Sequence, residues 1–253
     1  MTQQYQPSWD FYTITMDDDN PGSFYLDMGL LKIAPVKNKS SLLKLNIVLT
    51  DPTSEGLSSK AESEKLFQLE DALTDGLGKK LGAVYAGRTT ISGEREFYYY
   101  FANSDSASEV VDGIMAQFPD YEFLTGLTSD PEWSEYKDFL YPGPEELRPI
   151  VNRRVIKNLS GQGDTLTASR KVDHWIYFED KDSRDDFEKE VTKKGFKTGS
   201  RDYKAEYEQP YSIMIYREDV PDEKTMNRVT SLLVELADDN DGVYDGWGTI
   251  VVK

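Results

Sequence analysis

The 253-residue chain has no cysteine and a single histidine, His174. Without thiols, disulfides, thiolate metal centres and cysteine nucleophiles are excluded. One imidazole lacks the second histidine of a zinc centre and the activated serine of a hydrolytic triad, so His174, on a predicted strand beside Trp175, reads as a packing or surface residue. No stretch approaches the roughly 18 apolar residues of a membrane span, and Met1–Asp10 has neither the basic flank nor the apolar core of a leader, which points to a cytoplasmic protein. Positive charge is also scarce: 29 basic residues stand against 46 acidic ones, a formal net charge of −17. That field opposes direct contact with nucleic acid or an anionic membrane, keeps the chain soluble, and favours a basic protein partner.

What is present suffices for a core. Hydrophobic residues make up 38% and aromatics 12% of the chain, enough apolar surface to offset chain entropy. The length suits two domains, and Pro142-Gly143-Pro144 marks their boundary, giving 1–143 and 144–253. Splitting the charge there leaves net −12 in the first part and −5 in the second.

Hydrophobic alternation predicts a hairpin from Trp9–Met16 and Phe24–Ile33 across Asp17-Asp18-Asp19-Asn20-Pro21-Gly22. Then follow a strand at Leu42–Leu49 and a helix from Ser58 to Leu81 with Leu66, Leu69 and Leu73 on its buried face. A second hairpin, Val84–Ile91 and Glu96–Phe101, precedes a helix capped by Ser104 or Asp105 and stopped by Pro119, and a strand at Tyr121–Leu127. Asp130-Pro131 opens a short aromatic helix with Trp133, Tyr136, Phe139 and Leu140. In the second part, a helix from Glu145 or Pro149 to Leu159 leads to a strand within Leu166–Phe178 and a helix capped by Asp182 or Ser183. A hairpin of Phe196–Ala205 and Tyr211–Tyr216, a helix from Pro221 to Ala237 and a strand at Val243–Val252 complete the chain. Each part therefore reads strand, helix, strand, strand, helix, strand. The expected class is α+β: two ferredoxin-like (βαββαβ) domains in tandem, the first preceded by an extra β-hairpin.

Patterns that superficially suggest chemistry fail on spacing. The Asp17–Gly22 run lacks a ligand at its fifth position, Pro21, and a bidentate glutamate at its twelfth, Met28, so it is no calcium loop. Gly76-Leu77-Gly78-Lys79-Lys80-Leu81-Gly82 follows a helix instead of a strand and lacks the dinucleotide-binding spacing. No catalytic, metal or cofactor site is expected. A hydrolase using paired carboxylates ranks third among the functional classes, because nothing in the sequence singles out one pair. Tyr98-Tyr99-Tyr100-Phe101 and Trp133, Tyr136 and Phe139 suit either core packing or contact anchors.

The last strand reads Tyr244-Asp245-Gly246-Trp247-Gly248-Thr249, directly after the acidic helix end that holds Asp238, Asp239 and Asp241. This segment resembles the closing motif of the RraB family, protein inhibitors of the endonuclease ribonuclease E, and the likeness extends back over roughly residues 147–253. The first half resembles the domain-of-unknown-function family 695 in Trp9-Asp10-Phe11-Tyr12, Leu42–Leu49 and Arg95–Phe101, and that resemblance implies no activity. The RraB resemblance implies a bacterial, non-catalytic regulator that binds a basic ribonuclease or RNA-handling protein through these motif residues, which serve either as contact surface or as fold determinant. The alternative is an interaction or immunity-type protein with an unrelated partner, the RraB fold being only a scaffold. RraB proteins of the inhibiting type carry a long acidic tail after the tryptophan motif; here the sequence given stops at Lys253, and the acidic first domain is expected to stand in for that charge.

Overall fold

A computed structural model of the protein describes residues 5–16, 19–102 and 106–253. The chain divides into two compact units, Met1–Glu146 and Leu147–Lys253, each a mixed α+β arrangement of helices on an antiparallel sheet. Among the described residues, no helix is long and apolar enough to cross a membrane.

In the first unit the elements run β1 (Trp9–Thr15), β2 (Pro21–Asp27), β3 (Ser41–Val48), α1 (Lys60–Leu81), β4 (Val84–Ile91), β5 (Glu94–Phe101), α2 (Ala107–Met115) and β6 (Phe123–Ser129). The sheet order is β1-β2-β4-β5-β3-β6, with every neighbouring pair antiparallel. Alternation in β5 sends Phe97, Tyr99 and Phe101 to the helix side, where they meet Leu43, Leu45 and Ile47 of β3 and Leu66, Leu69, Leu73 and Leu77 of α1. These leucines recur at three and four residues, the spacing that gives a helix one apolar face. Ser59 caps α1 by accepting from the Glu62 N–H, and Gly82, in the left-handed region at φ 60°, ends it.

Tyr98 and Tyr100 point to the opposite face, which is also buried. The cover is the segment after β6, whose turn of π-helix, Glu135–Leu140, carries Tyr136 and Leu140. Trp133 stacks on Tyr100 at 3.9 Å between ring centroids, and its Nε1–H donates to the Lys39 carbonyl at 2.7 Å. Asp130 organises this hook: it accepts from the Tyr100 hydroxyl and from the backbone N–H groups of Ser134 and Glu135. The whole aromatic run is therefore core, and within the hook only Phe139 is left an exposed ring.

Two local expectations shift. The second strand of the first hairpin ends at Asp27 instead of Ile33, because the Asp27 carboxylate accepts from the N–H of Gly29 and Ser8 and so caps a 3₁₀ helix, Met28–Lys32. The second helix stops at Met115 instead of Phe118, and its expected caps Ser104 and Asp105 lie outside the described residues, as do Asp17 and Asp18 of the hairpin turn.

In the second unit, α3 (Pro144–Gly161, within this unit from Leu147) precedes β7 (Arg170–Phe178), α4 (Lys181–Lys193), β8 (Lys197–Tyr203), β9 (Tyr211–Asp219), α5 (Glu223–Asp238) and β10 (Gly242–Thr249). The sheet order is β10-β7-β9-β8, again all antiparallel. Helix α4 begins earlier than expected because Asp180, ahead of Asp182 and Ser183, accepts from the Ser183 N–H at 2.9 Å. The last strand closes at Thr249, short of Val252, and the residues after it are anchored by a carboxylate. Asp164 accepts from the Val252 N–H and forms a two-pronged buried pair with Arg170, at 2.6 and 2.9 Å. The guanidinium, with the backbone N–H groups of Val252 and Leu166, holds the Asp164 carboxyl well below the usual range.

Even-numbered residues of β7 face the helices: Val172, His174, Ile176 and Phe178 are buried. His174 Nδ1 shares a 2.9 Å hydrogen bond with the Tyr244 hydroxyl, and its ring meets Phe196 edge-on. Its Nε2 has no hydrogen-bond partner among the described residues. Burial, reinforced by the Arg217 charge, pulls its pKa down to about 3. The unfolded chain, with a histidine pKa of about 6.5, therefore binds a proton that the folded chain refuses. This contribution to stability is complete above pH 6.5 and is lost as pH falls towards 3, at about 1.4 kcal/mol per unit. Urea unfolding from pH 6 to 4 should show His174→Phe losing stability less steeply than the parent by about that amount per unit; equal slopes would mean that His174 is not the group responsible.

Candidate partner-binding surface

The tryptophan motif is built around a bulge. β10 pairs with β7 in regular register up to Tyr244, skips Asp245, and resumes at Gly246 opposite Trp175. Gly246 sits at φ 151°, a backbone state that side chains disfavour, and the extra residue turns the Asp245 side chain out to solvent. Trp247 then falls on the helix side, where it is 8% exposed and packs with Leu159, Val172 and Met226. Its Nε1–H donates to Asn152 Oδ1 at 2.7 Å, while Asn152 Nδ2 donates to Asn227 Oδ1 and to Thr230 Oγ1, both at 2.9 Å. A buried indole is thereby satisfied by an amide from α3 that is itself satisfied by α5.

The other motif residues lie apart from that indole. Tyr244 also points inward and bonds His174. Thr249 Oγ1 donates to the Lys171 carbonyl. Asp238, Asp239, Asp241 and Asp245 are exposed along the turn from α5 into β10 and at the bulge. The motif thus separates into an interior part, Tyr244 and Trp247, and a solvent-facing acidic part.

Gly248 belongs to the sheet face that no helix of this unit covers. Odd residues of β7 point there, Trp175 among them at 37% exposed, with Tyr177 half-buried beside it. A methyl group built on Gly248 would stand 3.4 Å from Trp175 Cη2 and Cζ3, in van der Waals contact, so the indole lies across β10 directly over this glycine. On the other flank Trp175 is directly opposite Met214 of β9. The Met214 side chain lies across Gly199, where an added Cβ would come within 2.3 Å of Met214 Cε. Gly199 is the residue skipped by a second bulge, between Thr198 and Ser200 in β8. Both edge strands thus carry a bulge with a glycine level with one cross-strand row, Trp175 and Met214, so that no side chain rises from those glycines beside this apolar platform.

The platform is bounded by the β8–β9 connection. Trp175, Tyr177, Met214, Asp202, Lys204 and Tyr207 contribute to the walls of a cleft of about 520 Å³, and Lys171 lies over the Tyr216 ring at 4.5 Å at the far end. Among the described residues, no three His, Cys, Asp or Glu side chains converge as a metal site. The cleft offers aromatic area, one thioether and sparse charge of both signs, a set suited to holding an apolar side chain of a partner. Sequence reasoning placed weight on Trp247 and passed over Trp175, although the period-two alternation of β7 separates buried 172, 174, 176 and 178 from exposed 175. Asn152 carried no sequence signal, since its role depends on a residue 95 positions away.

No curated protein matches the chain. Two solved structures align over 82% of this chain and 96% of their own: an unknown protein from Galdieria sulphuraria, at 9% identity and a TM-score of 0.23, and a candidate glycine cleavage system transcriptional repressor, at 12% and 0.22. These scores are too low to carry an architectural argument. Family models divide the sequence as the two resemblances imply. Residues 150–249 match RraB, regulator of ribonuclease activity B, and so include Asn152, Trp175 and Trp247. Residues 7–141, more than half of the sequence, match the family of unknown function DUF695, and the chain belongs to that family, followed by an RraB-like second half.

Proposed function

We propose that the protein is a non-catalytic, cytoplasmic regulator that binds an RNA-processing enzyme of the ribonuclease E type and lowers its activity. The observation that carries this reading is the match of residues 150–249 to a family of ribonuclease regulators. Net charge of −17 suits a basic partner and would speed the encounter at low salt. We further read 1–143 and 144–253 as separate domains, both ferredoxin-like, since each sheet has the strand order 4-1-3-2 when its βαββαβ strands are numbered locally.

Within the second domain, the Trp175 platform supplies the apolar contact. The acids Asp238, Asp239, Asp241 and Asp245 supply charge at the end of α5 and the start of β10. Tyr244, Gly246, Trp247, Gly248 and Thr249 set the sheet geometry that presents both. A buried aromatic anchor at the centre of an interface with charges at its rim is the usual division between affinity and steering.

The test is RNA cleavage by a purified ribonuclease E-type enzyme with stoichiometric regulator. The parent protein should inhibit, and Trp175→Ala should weaken binding by about 30-fold, the loss of some 2 kcal/mol expected of an aromatic anchor, while changing stability by only about 0.5–1 kcal/mol. No inhibition and no binding by the parent protein would retire the proposal. Trp247→Phe is predicted to behave in the opposite way. It leaves Asn152 Oδ1 without its donor and should destabilise the fold by about 1–3 kcal/mol, measured in urea, with the affinity of the remaining folded protein unchanged. A Trp247→Phe protein of parental stability and lost affinity would make the motif tryptophan the contact.

A further inference from the structure

The helix-facing side of the first sheet becomes polar at one corner. Ser23 of β2, Thr90 of β4 and Arg95 of β5 form a row across three strands, Ser23 opposite Thr90 and Thr90 opposite Arg95. Arg88 lies two residues along β4 on the same side. Above this floor stand Ser58, next to the cap of α1, and Ser63 and Phe67, one turn apart on that helix. They surround a cavity of about 240 Å³. Two arginines and four hydroxyls line it, and no carboxylate does, in a chain where acids outnumber bases 46 to 29.

Arg95 is the unusual member. It is only 4% exposed. Its Nε donates to Thr90 Oγ1 at 3.0 Å and its Nη2 to Ser58 Oγ at 3.2 Å, both neutral acceptors, and it makes no ion pair among the described residues. The buried carboxylates of this region are engaged elsewhere. Glu62 accepts from the Thr50 N–H, the Thr50 hydroxyl and the Asp51 N–H, and Glu70 accepts from the Tyr85 hydroxyl and Arg88 Nε. Burial, with the Arg88 charge beside it, outweighs the Glu70 and Glu62 charges and pulls the Arg95 pKa down to about 10, still far enough above neutrality for the guanidinium to stay charged. A buried cation held only by hydroxyls is costly unless an anion completes it. Guanidinium forks with surrounding hydroxyl donors match the geometry of a tetrahedral oxyanion, and the positive end of α1 adds to the field.

We propose that this corner of the DUF695 domain binds the phosphoryl group of a small phosphorylated molecule, with Arg95 and Arg88 as cationic ligands, Ser58, Ser23 and Thr90 as hydroxyl ligands, and Ser63, whose hydroxyl donates to the Ser59 carbonyl, as part of the wall. Phe67, 55% exposed at the rim, offers a ring on which the organic part rests. The site is independent of the docking surface in the second half.

The full chain is titrated with inorganic phosphate and with phenyl phosphate, against sodium chloride at equal ionic strength, by calorimetry and thermal unfolding. Saturable binding is expected for both, weakened at least tenfold in Arg95→Gln. Tighter binding of phenyl phosphate assigns a phosphomonoester; equal affinities assign free phosphate as the source of the same group. Should Arg95→Gln fail to fold, Ser63→Asp places a carboxylate at the half-buried wall and should abolish binding while the fold persists. Absence of saturable binding, or parent and variants responding alike as a general salt effect would make them, overturns the proposal.

Discussion

One hydrogen bond joins the last strand of the chain to the first helix of its unit: the Trp247 indole N–H on the Asn152 carbonyl oxygen. Asn152 can accept it in that orientation because its amide nitrogen is committed to Asn227 and Thr230 on α5. Three elements are thus fixed by one side-chain amide whose oxygen and nitrogen cannot be exchanged without leaving two donors facing each other. The bulge at Asp245 follows from this geometry. It resets the alternation by one residue, so that Tyr244 and Trp247 both reach the interior although three positions separate them. Were Asp245 paired in unbroken register instead of bulged out, strict alternation would put the indole on the opposite face, the one that carries Trp175.

The two sheets share a local strand order and differ in what becomes of the face away from the helices. In the first unit that face is covered from within, by Trp133, Tyr136 and Leu140 laid over Tyr98 and Tyr100. In the second, the corresponding face carries Trp175 and Met214 and no covering segment of its own unit. Glycines beside these side chains, Gly246 and Gly248 on one edge strand and Gly199 on the other, keep the surface low instead of filling it. An aromatic strand residue therefore signifies different things in the two halves: in β5 it is core on both sides, in β7 core on one side and surface on the other.

Much of this arrangement was legible in the sequence because it rests on local periodicity. The leucine spacing of α1, the alternation of β3 and β7, and the glycine after α1 state their elements without reference to anything distant. What was not legible depends on tertiary partners. Asp27 looks like one more strand residue until the Ser8 N–H is found on its carboxylate. The Trp133 segment scans as an ordinary helix, yet forms a turn of π-helix gripped by Asp130 and Tyr100. The acidic residues of the candidate surface and the motif tryptophan were identifiable from their neighbours in sequence. Trp175, although adjacent to the lone histidine, acquires meaning only once its ring is seen to lie over Gly248 and Gly199 to clear space for its cross-strand neighbour Met214.

The aromatic hook of the first unit also imposes an order in time. Tyr98 and Tyr100 leave the ribosome well before Trp133, so during synthesis β1 to β5 are available to pair while the back of their sheet is still bare of its cover, and β6 emerges just ahead of that cover. A nascent chain paused there would present an uncovered row of rings to its surroundings, and the few residues from Asp130 to Tyr141 act as the final closure of that layer.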